Sequence, residues 1–299
     1  MTAKPAIGFI GLGFMGHGMA RNLREKGYPL TVLGHRNRVP VEALVKGGAK
    51  EAKSAKELAA ASDIIFMCVT GSPQVEALVR GENGLAAGAR KGAIIADCST
   101  SDPVSTLALS VELAAKGLYF IDIPLGGTPA QAEAGKLWAM VGASPEIFVR
   151  IKPVCEAWAG RVDHVGKVGD GHKMKLLNNF LSMGYGAIYA EALTLARKSG
   201  LSPQVFDSVL RGSRMDCGFY QTYFQYVLTR DRDAHKFTID NAAKDMRYLA
   251  SMADAVGMAN PVGAAVKNTY VSAQAAGKGG DYVPMVSDFI AAANGVKLA

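Results

Sequence analysis

Residues 7–16 read Ile7-Gly8-Phe9-Ile10-Gly11-Leu12-Gly13-Phe14-Met15-Gly16, and this stretch decides the fold. Ile7 to Ile10 reads as a short buried strand. A G-x-G-x-x-G follows at once, and a helical stretch opens on it and runs to about Lys26. The strand–glycine–helix context is what gives this common motif its meaning. The first glycine permits the tight turn, the second lets a pyrophosphate approach the backbone, and the third lets helix and strand pack closely. The N–H groups and partial positive charge of the helix start suit phosphate oxygens. A dinucleotide is therefore expected on Gly11, Leu12, Gly13, Phe14, Met15 and Gly16.

Outward from this stretch, apolar runs alternate with helical segments. Leu30-Thr31-Val32-Leu33 reads as a second strand, followed by a helical stretch near 41–46. Ile64–Val69, Ala93–Asp97 and Tyr119–Asp122 follow, apolar nearly throughout. Such strands suit a parallel sheet covered on both faces, built from right-handed βαβ units. After Gly169 the texture changes: residues 171–199 read as one long helix, and no strand-like alternation stands out beyond it. The expected fold is α/β: a doubly wound, Rossmann-type sheet domain over 1–165, a long connecting helix, and an all-helical domain within 166–299.

Composition excludes more than it identifies. Apolar residues make up 49% of the 299 and charged residues 20%, which fits a globular chain rather than a disordered one. Lysine and arginine exceed the acids by 33 to 26, but no basic run with interleaved aromatics speaks for nucleic acid. The cysteines, Cys68, Cys98, Cys155 and Cys217, form no C-x-x-C pair, and the five histidines show no metal-binding spacing. No apolar run is long enough for a membrane span. A reducing, cytoplasmic setting without metal is expected.

The end of the second strand bears on which nicotinamide cofactor binds. A carboxylate there would accept from a ribose 2′-hydroxyl, whereas an arginine accommodates a 2′-phosphate. The sequence has Gly34-His35-Arg36-Asn37-Arg38, with no acid. NADP is expected over NAD, with Arg36 or Arg38 on the phosphate and His35 assisting. In the long helix, Lys175 and Asn179 stand four residues apart on one face. An ammonium beside an amide is a reasonable pair for reducing a carbonyl. His172 reads as a surface position at the helix start. Met183, Tyr185, Tyr189, Tyr220, Tyr223, Phe224 and Tyr226 read as core or subunit interface rather than pocket lining.

Four ordered motifs resemble those of the β-hydroxyacid dehydrogenases, the family of 3-hydroxyisobutyrate dehydrogenase, tartronate semialdehyde reductase and sulfolactaldehyde reductase. They are Phe9-Ile10-Gly11-Leu12-Gly13-Phe14-Met15-Gly16 with its continuation to Leu23; Asp97-Cys98-Ser99-Thr100; Asp122-Ile123-Pro124-Leu125-Gly126-Gly127-Thr128; and Gly169-x-Gly171-x-x-x-Lys175-x-x-Asn178-Asn179. Lys244-Asp245 is similar to the family's later K-D pair. The resemblance implies Lys175 as acid/base and Asn179 as a substrate-orienting residue. It further implies Gly126, Gly127 and Thr128 on the acidic end of the substrate, and Thr100, Lys244, Cys68 and Val69 around the cofactor. It implies a homo-oligomer, dimer or tetramer.

The chain departs from the family pattern in the substrate loop. The family's serine is Gly126 and the second glycine of its pair is Thr128, so a hydroxyl is lost and returned two positions on. Sulfolactaldehyde reductases carry an arginine between these two positions, where this chain has Gly127. The reaction implied is reversible hydride transfer between NADP(H) and a small 3-hydroxyacid or semialdehyde, such as 3-hydroxyisobutyrate or tartronate semialdehyde. The competing readings are a reductase of imines or non-acid carbonyls, and an NADP-binding module without turnover.

Overall fold

The computed structural model describes residues 4–298. Contacts divide the chain into two compact units, Met1–Lys175 and Leu176–Ala299, which part inside one long helix.

In the first unit, β1 (Ile7–Ile10), β2 (Leu30–Leu33), β3 (Lys50–Ala52), β4 (Ile64–Met67), β5 (Ile94–Asp97) and β6 (Tyr119–Asp122) pair in parallel in the order 3-2-1-4-5-6. That is the dinucleotide-fold order, with its reversal beside β1. Both faces are covered because alternate residues of each strand point opposite ways. Ile7, Phe9, Ile64 and Phe66 join one core with Met19, Ala20 and Leu23 of α1 (Gly16–Glu25) and Val41 and Leu44 of α2 (Val39–Lys46). Ile10, Ile65, Met67 and Ile95 join another with Leu58 of α3 (Ala55–Ala60), Val75 and Val79 of α4 (Ser72–Val79), Leu85 of α5 (Leu85–Gly88) and Leu109 and Leu113 of α6 (Pro103–Ala114).

The apolar runs pair in parallel as expected, and the sheet continues beyond them with strands that are not all parallel. β7 (Leu125–Gly126), α7 (Pro129–Glu133), β8 (Leu137–Gly142), α8 (Pro145–Cys155) and β9 (Ala159–Gly166) extend it, with β8 antiparallel to both β6 and β7 and parallel to β9. Reversal is possible because Gly135, at φ +66°, turns the chain just before β8. β9 escapes a reading by hydrophobic alternation: its middle carries Arg161, Asp163 and His164, with Asp163 accepting from the Trp138 indole at 2.8 Å.

α9 (Asp170–Lys198) runs on from the first unit into the second. The second unit continues with α10 (Pro203–Leu210), α11 (Gly218–Thr229), α12 (Ile239–Ala255), α13 (Pro261–Ala273) and α14 (Val286–Ala293). Among its described residues the only β pairing is an isolated Thr238–Tyr282 bridge. Its core is aromatic: the Tyr189 ring lies 5.4–5.7 Å from those of Tyr220, Tyr223 and Phe224. Met183 and Tyr226 are buried there as expected, whereas Tyr185 is exposed. Among the described residues no helix is long and apolar enough to cross a membrane.

Candidate functional site

In the first unit the candidate segments converge on the C-terminal ends of the parallel strands, where open α/β sheets hold their ligands. Backbone bonds stitch the strand ends together: Cys68 N–H to Ile10 O at 2.8 Å, Cys98 N–H to Met67 O at 2.7 Å, and Ile123 N–H to Asp97 O at 2.7 Å. The Val69 N–H donates to Ser99 Oγ at 3.0 Å, which ties the 68–69 segment to the one bearing Thr100.

The glycine turn fits a bound dinucleotide. Gly11 stands at φ +93°, and a Cβ there would collide with the Cys68 carbonyl. A Cβ on Gly16 would strike Gly11 O, whereas nothing lies within 4 Å of one on Gly13, so the backbone is open there to a ligand. No side chain caps α1, and its first turn holds no acid. Leu12 and Met15 pack partly into the core and Phe14 is exposed. Beyond β2, His35 and Arg36 are exposed. Arg38 is held by a two-pronged pair with Glu51, at 2.7 and 2.8 Å, and its guanidinium lies over Gly34. That bond lowers the Glu51 carboxyl below its ordinary value.

The 126–128 loop is shaped by α7. Thr128 caps that helix in a capping box: its oxygen accepts from Gln131 N–H at 3.3 Å, and its own N–H donates to Gln131 Oε1 at 2.9 Å. The Thr128 N–H is therefore engaged within the helix, while its hydroxyl keeps a proton to donate. Gly127 stands at φ +123°, with Leu137 at 2.9 Å and Gln131 Oε1 at 3.0 Å from where a Cβ would lie. α7 is also strapped to α1. Asn22 Nδ2 donates to Ala132 O at 3.1 Å, Arg21 pairs with Glu133 at 3.1 Å, and His17 Nδ1 lies 2.9 Å from Glu133 Oε1. The helix of the glycine turn and the loop at 126–128 are thus fastened to each other, a link that no sequence motif announced.

Lys175 is half-buried in the second turn of α9. The helix start beneath it is anchored by Asp122, His172 and Asp97, to which the sequence assigns no such role. Asp122 accepts from Gly169 N–H and from His172 N–H, each at 2.7 Å, one on each carboxylate oxygen. Burial pushes its carboxyl up, against the pull of the His172 side chain and these two bonds. His172 is not at the surface as expected: it is fully buried, because α9 begins against the ends of β5 and β6. Its Nδ1 meets Thr106 Oγ1 at 2.8 Å and its Nε2 meets Ser99 O at 3.2 Å. Asp97 completes the cluster, taking Ser99 N–H at 2.8 Å and the Ser101 hydroxyl at 2.7 Å. Asp97 and Asp122 are register partners on neighbouring strands. Two acids closing consecutive apolar runs were the available signal.

In the second unit, Asn179 is buried, and its Nδ2 donates to Asp245 Oδ2 at 2.6 Å. Lys244 Nζ lies 2.9 Å from Asp245 Oδ1 and 5.1 Å from the Tyr248 ring centre. Burial pushes the Cys68 thiol up to about 12, which removes it as a nucleophile at neutral pH. Among the described residues no cluster of His, Cys, Asp and Glu could hold a metal ion.

Comparison with known proteins agrees with this geometry. Residues 6–166 match the family profile described as the NAD binding domain of 6-phosphogluconate dehydrogenase, and residues 169–287 that described as NAD-binding of NADP-dependent 3-hydroxyisobutyrate dehydrogenase. The chain is 33% identical over 274 residues to the 3-sulfolactaldehyde reductase of Escherichia coli, covering 92% of each chain. It is 35% identical to the 2-(hydroxymethyl)glutarate dehydrogenase of Eubacterium barkeri, over 82% of this chain and 81% of that one. The crystal structure of a 3-hydroxyisobutyrate dehydrogenase from Salmonella typhimurium superimposes with a TM-score of 0.83 at 26% identity, covering 95% of this chain and 99% of that one. A strand-end site with an open glycine turn, matched along its length by dehydrogenases and reductases, places the chain in the β-hydroxyacid dehydrogenase family, as an oxidoreductase with a nicotinamide-binding domain.

Proposed function

We propose that the protein interconverts a small 3-hydroxyacid and its semialdehyde with NADP(H), Lys175 acting as general acid and base. What most supports this reading is Lys175 itself: an amine half-buried in a helix whose first turn is pinned by Asp122 to the end of β6 and by His172 to Ser99, next to Thr100. Bound at the glycine turn, the cofactor supplies or accepts a hydride.

The chain's own residues do the rest. In reduction the Lys175 ammonium gives a proton to the oxygen of the carbonyl; in oxidation the amine removes the hydroxyl proton. Such help is worth ~10²–10⁴-fold. Asn179 turns an amide toward the same oxygen, its orientation set by Asp245. The Thr128 hydroxyl and the backbone at Gly126 and Gly127 take the carboxylate, and Lys244 serves the cofactor. The chain around Cys68, Val69 and Thr100 borders the nicotinamide.

Arg36 takes the 2′-phosphate, because Arg38 is already engaged by Glu51. A carboxylate is preferred to a sulfonate. The arginine that marks sulfolactaldehyde reductases would fall at Gly127, whose φ of +123° resists any side chain. A homo-oligomer in the cytoplasm is the setting we assign.

The test is a panel of succinic, methylmalonic, tartronic and sulfonated semialdehydes with glyoxylate, each offered with NADPH or NADH and followed by loss of reduced-cofactor absorbance. Turnover of a carboxylated semialdehyde with NADPH is expected. Silence on all of them, with NADPH bound, would refute the reading.

A further inference from the structure

We propose that His172 is a positioning residue for the reaction: it braces the segment bearing Thr100 against the start of the helix bearing Lys175. The proposal rests on Lys175 as the acid/base. Three observations carry it. The imidazole is fully buried at the first turn of α9, one turn before Lys175. It bridges two separate segments, meeting Ser99 O at 3.2 Å beyond β5 and Thr106 Oγ1 at 2.8 Å in α6. The carbonyl of Ser99 can only accept, so Nε2 carries the proton of that bond and the ring's orientation is set.

The surroundings leave the ring little freedom. Asp97 Oδ2 lies 3.7 Å from Nε2 and Asp122 Oδ2 lies 3.9 Å from Nδ1. Asp122 also holds the His172 backbone N–H, so the main chain and the side chain of this residue are fixed by different groups. A Cβ on Gly171 would approach Met140 O at 2.6 Å and Asp122 Oδ2 at 2.7 Å, and one on Gly142 would lie 2.5 Å from Asp122 Oδ1. The helix start is therefore seated tightly on β6 and β8, and His172 adds the connection to the 99–101 segment. Proton transfer depends steeply on distance, and a misplacement of about 1 Å can cost ~100-fold. A brace between the two segments sets that distance without touching substrate.

The test uses His172→Leu, which keeps apolar volume and removes both bonds, and His172→Gln, whose amide can donate to Ser99 O. Thr106→Val is a milder cut: it removes the bond to Nδ1 and the hydroxyl's own bond to Asp102 O, and leaves that from Nε2 to Ser99 O. We expect His172→Leu to lower kcat ~10–100-fold while the dissociation constant for NADPH stays within about threefold. His172→Gln should recover most of the loss, and Thr106→Val should fall between. Amide hydrogen exchange at 99–101 and 172–175 should quicken in the leucine variant and not in the glutamine one.

Unchanged kcat in His172→Leu, whatever its melting temperature, would overturn the proposal. So would equal losses in the leucine and glutamine variants, or loss of NADPH binding in step with kcat. Should the wild type turn over no carbonyl while binding NADPH, the functional reading fails, and hydrogen exchange alone decides the brace. Unaltered protection in His172→Leu would then refute it.

Discussion

Two helix starts in the first unit treat their N–H groups in opposite ways. α1 opens at the glycine turn with no side-chain cap, no acid in its first turn, and open space at Gly13. α9 opens on a carboxylate of the protein itself: Asp122 takes the N–H groups of Gly169 and His172, each at 2.7 Å. Both ends carry the same partial positive charge. At α1 that charge is left to an anionic ligand; at α9 it is satisfied internally, which anchors the helix that carries Lys175. One start is built to receive and the other to hold still.

The largest effect is expected from an acid placed at the open end. Gly13→Asp adds a side chain whose Cβ meets no neighbour within 4 Å, so stability should stay within ~0.5 kcal/mol of wild type. Affinity for NADPH should fall at least about 100-fold, since a carboxylate repels the pyrophosphate where N–H groups should meet it. Titration of cofactor fluorescence checks this. Next in size, Arg36→Ala should weaken NADP(H) by ~10–100-fold, the worth of a charge-assisted bond, and leave NAD(H) nearly unaffected. Arg38→Ala should do much less, because Glu51 already occupies that guanidinium. The ratio of kcat/KM for the two cofactors reports both.

At the closed end, Asp122→Asn turns an acceptor into a donor facing backbone N–H. It should cost about 1–3 kcal/mol of stability by urea unfolding, and lower kcat more than it lowers cofactor affinity. The smallest effect lies away from both starts and serves as a reference. Burial lowers His235, which meets Thr222 Oγ1 at 3.1 Å, from 6.5 to about 4. Between those values the unfolded chain binds the extra proton, so stability rises with pH across the window and is lost as pH falls from 6.5 toward 4. His235→Gln should flatten that slope, by on the order of 1–2 kcal/mol, in unfolding curves taken between pH 4 and 7.

The same contrast explains how much could be read in advance. The open start is visible in sequence because its chemistry lies in backbone: glycines at fixed spacing between an apolar run and a helix leave few alternatives. The parallel strands were legible for a related reason, being apolar on both faces. β7 to β9 were not, since a two-residue strand and a polar edge strand carry no periodic signal. Lys175, Asn179 and the 126–128 loop were found as motif members, but spacing says nothing of what holds them. Asp122 and His172 lie 50 residues apart, and a histidine at a helix start more often faces water. Only the register that sets Asp97 beside Asp122, with α9 laid across them, shows the histidine to be interior. Helical spacing reads the aromatics of the second unit as core or subunit interface; all but Tyr185 are buried within the unit, and Tyr185 is exposed on it.

The most direct test of Lys175 as acid and base compares Lys175→Ala with wild type, measuring turnover of the best semialdehyde and the dissociation constant for NADPH on the same samples. A loss of ~10²–10⁴-fold in kcat is expected, with cofactor affinity nearly unchanged. Full turnover in the alanine variant would contradict it and take the lysine out of the mechanism.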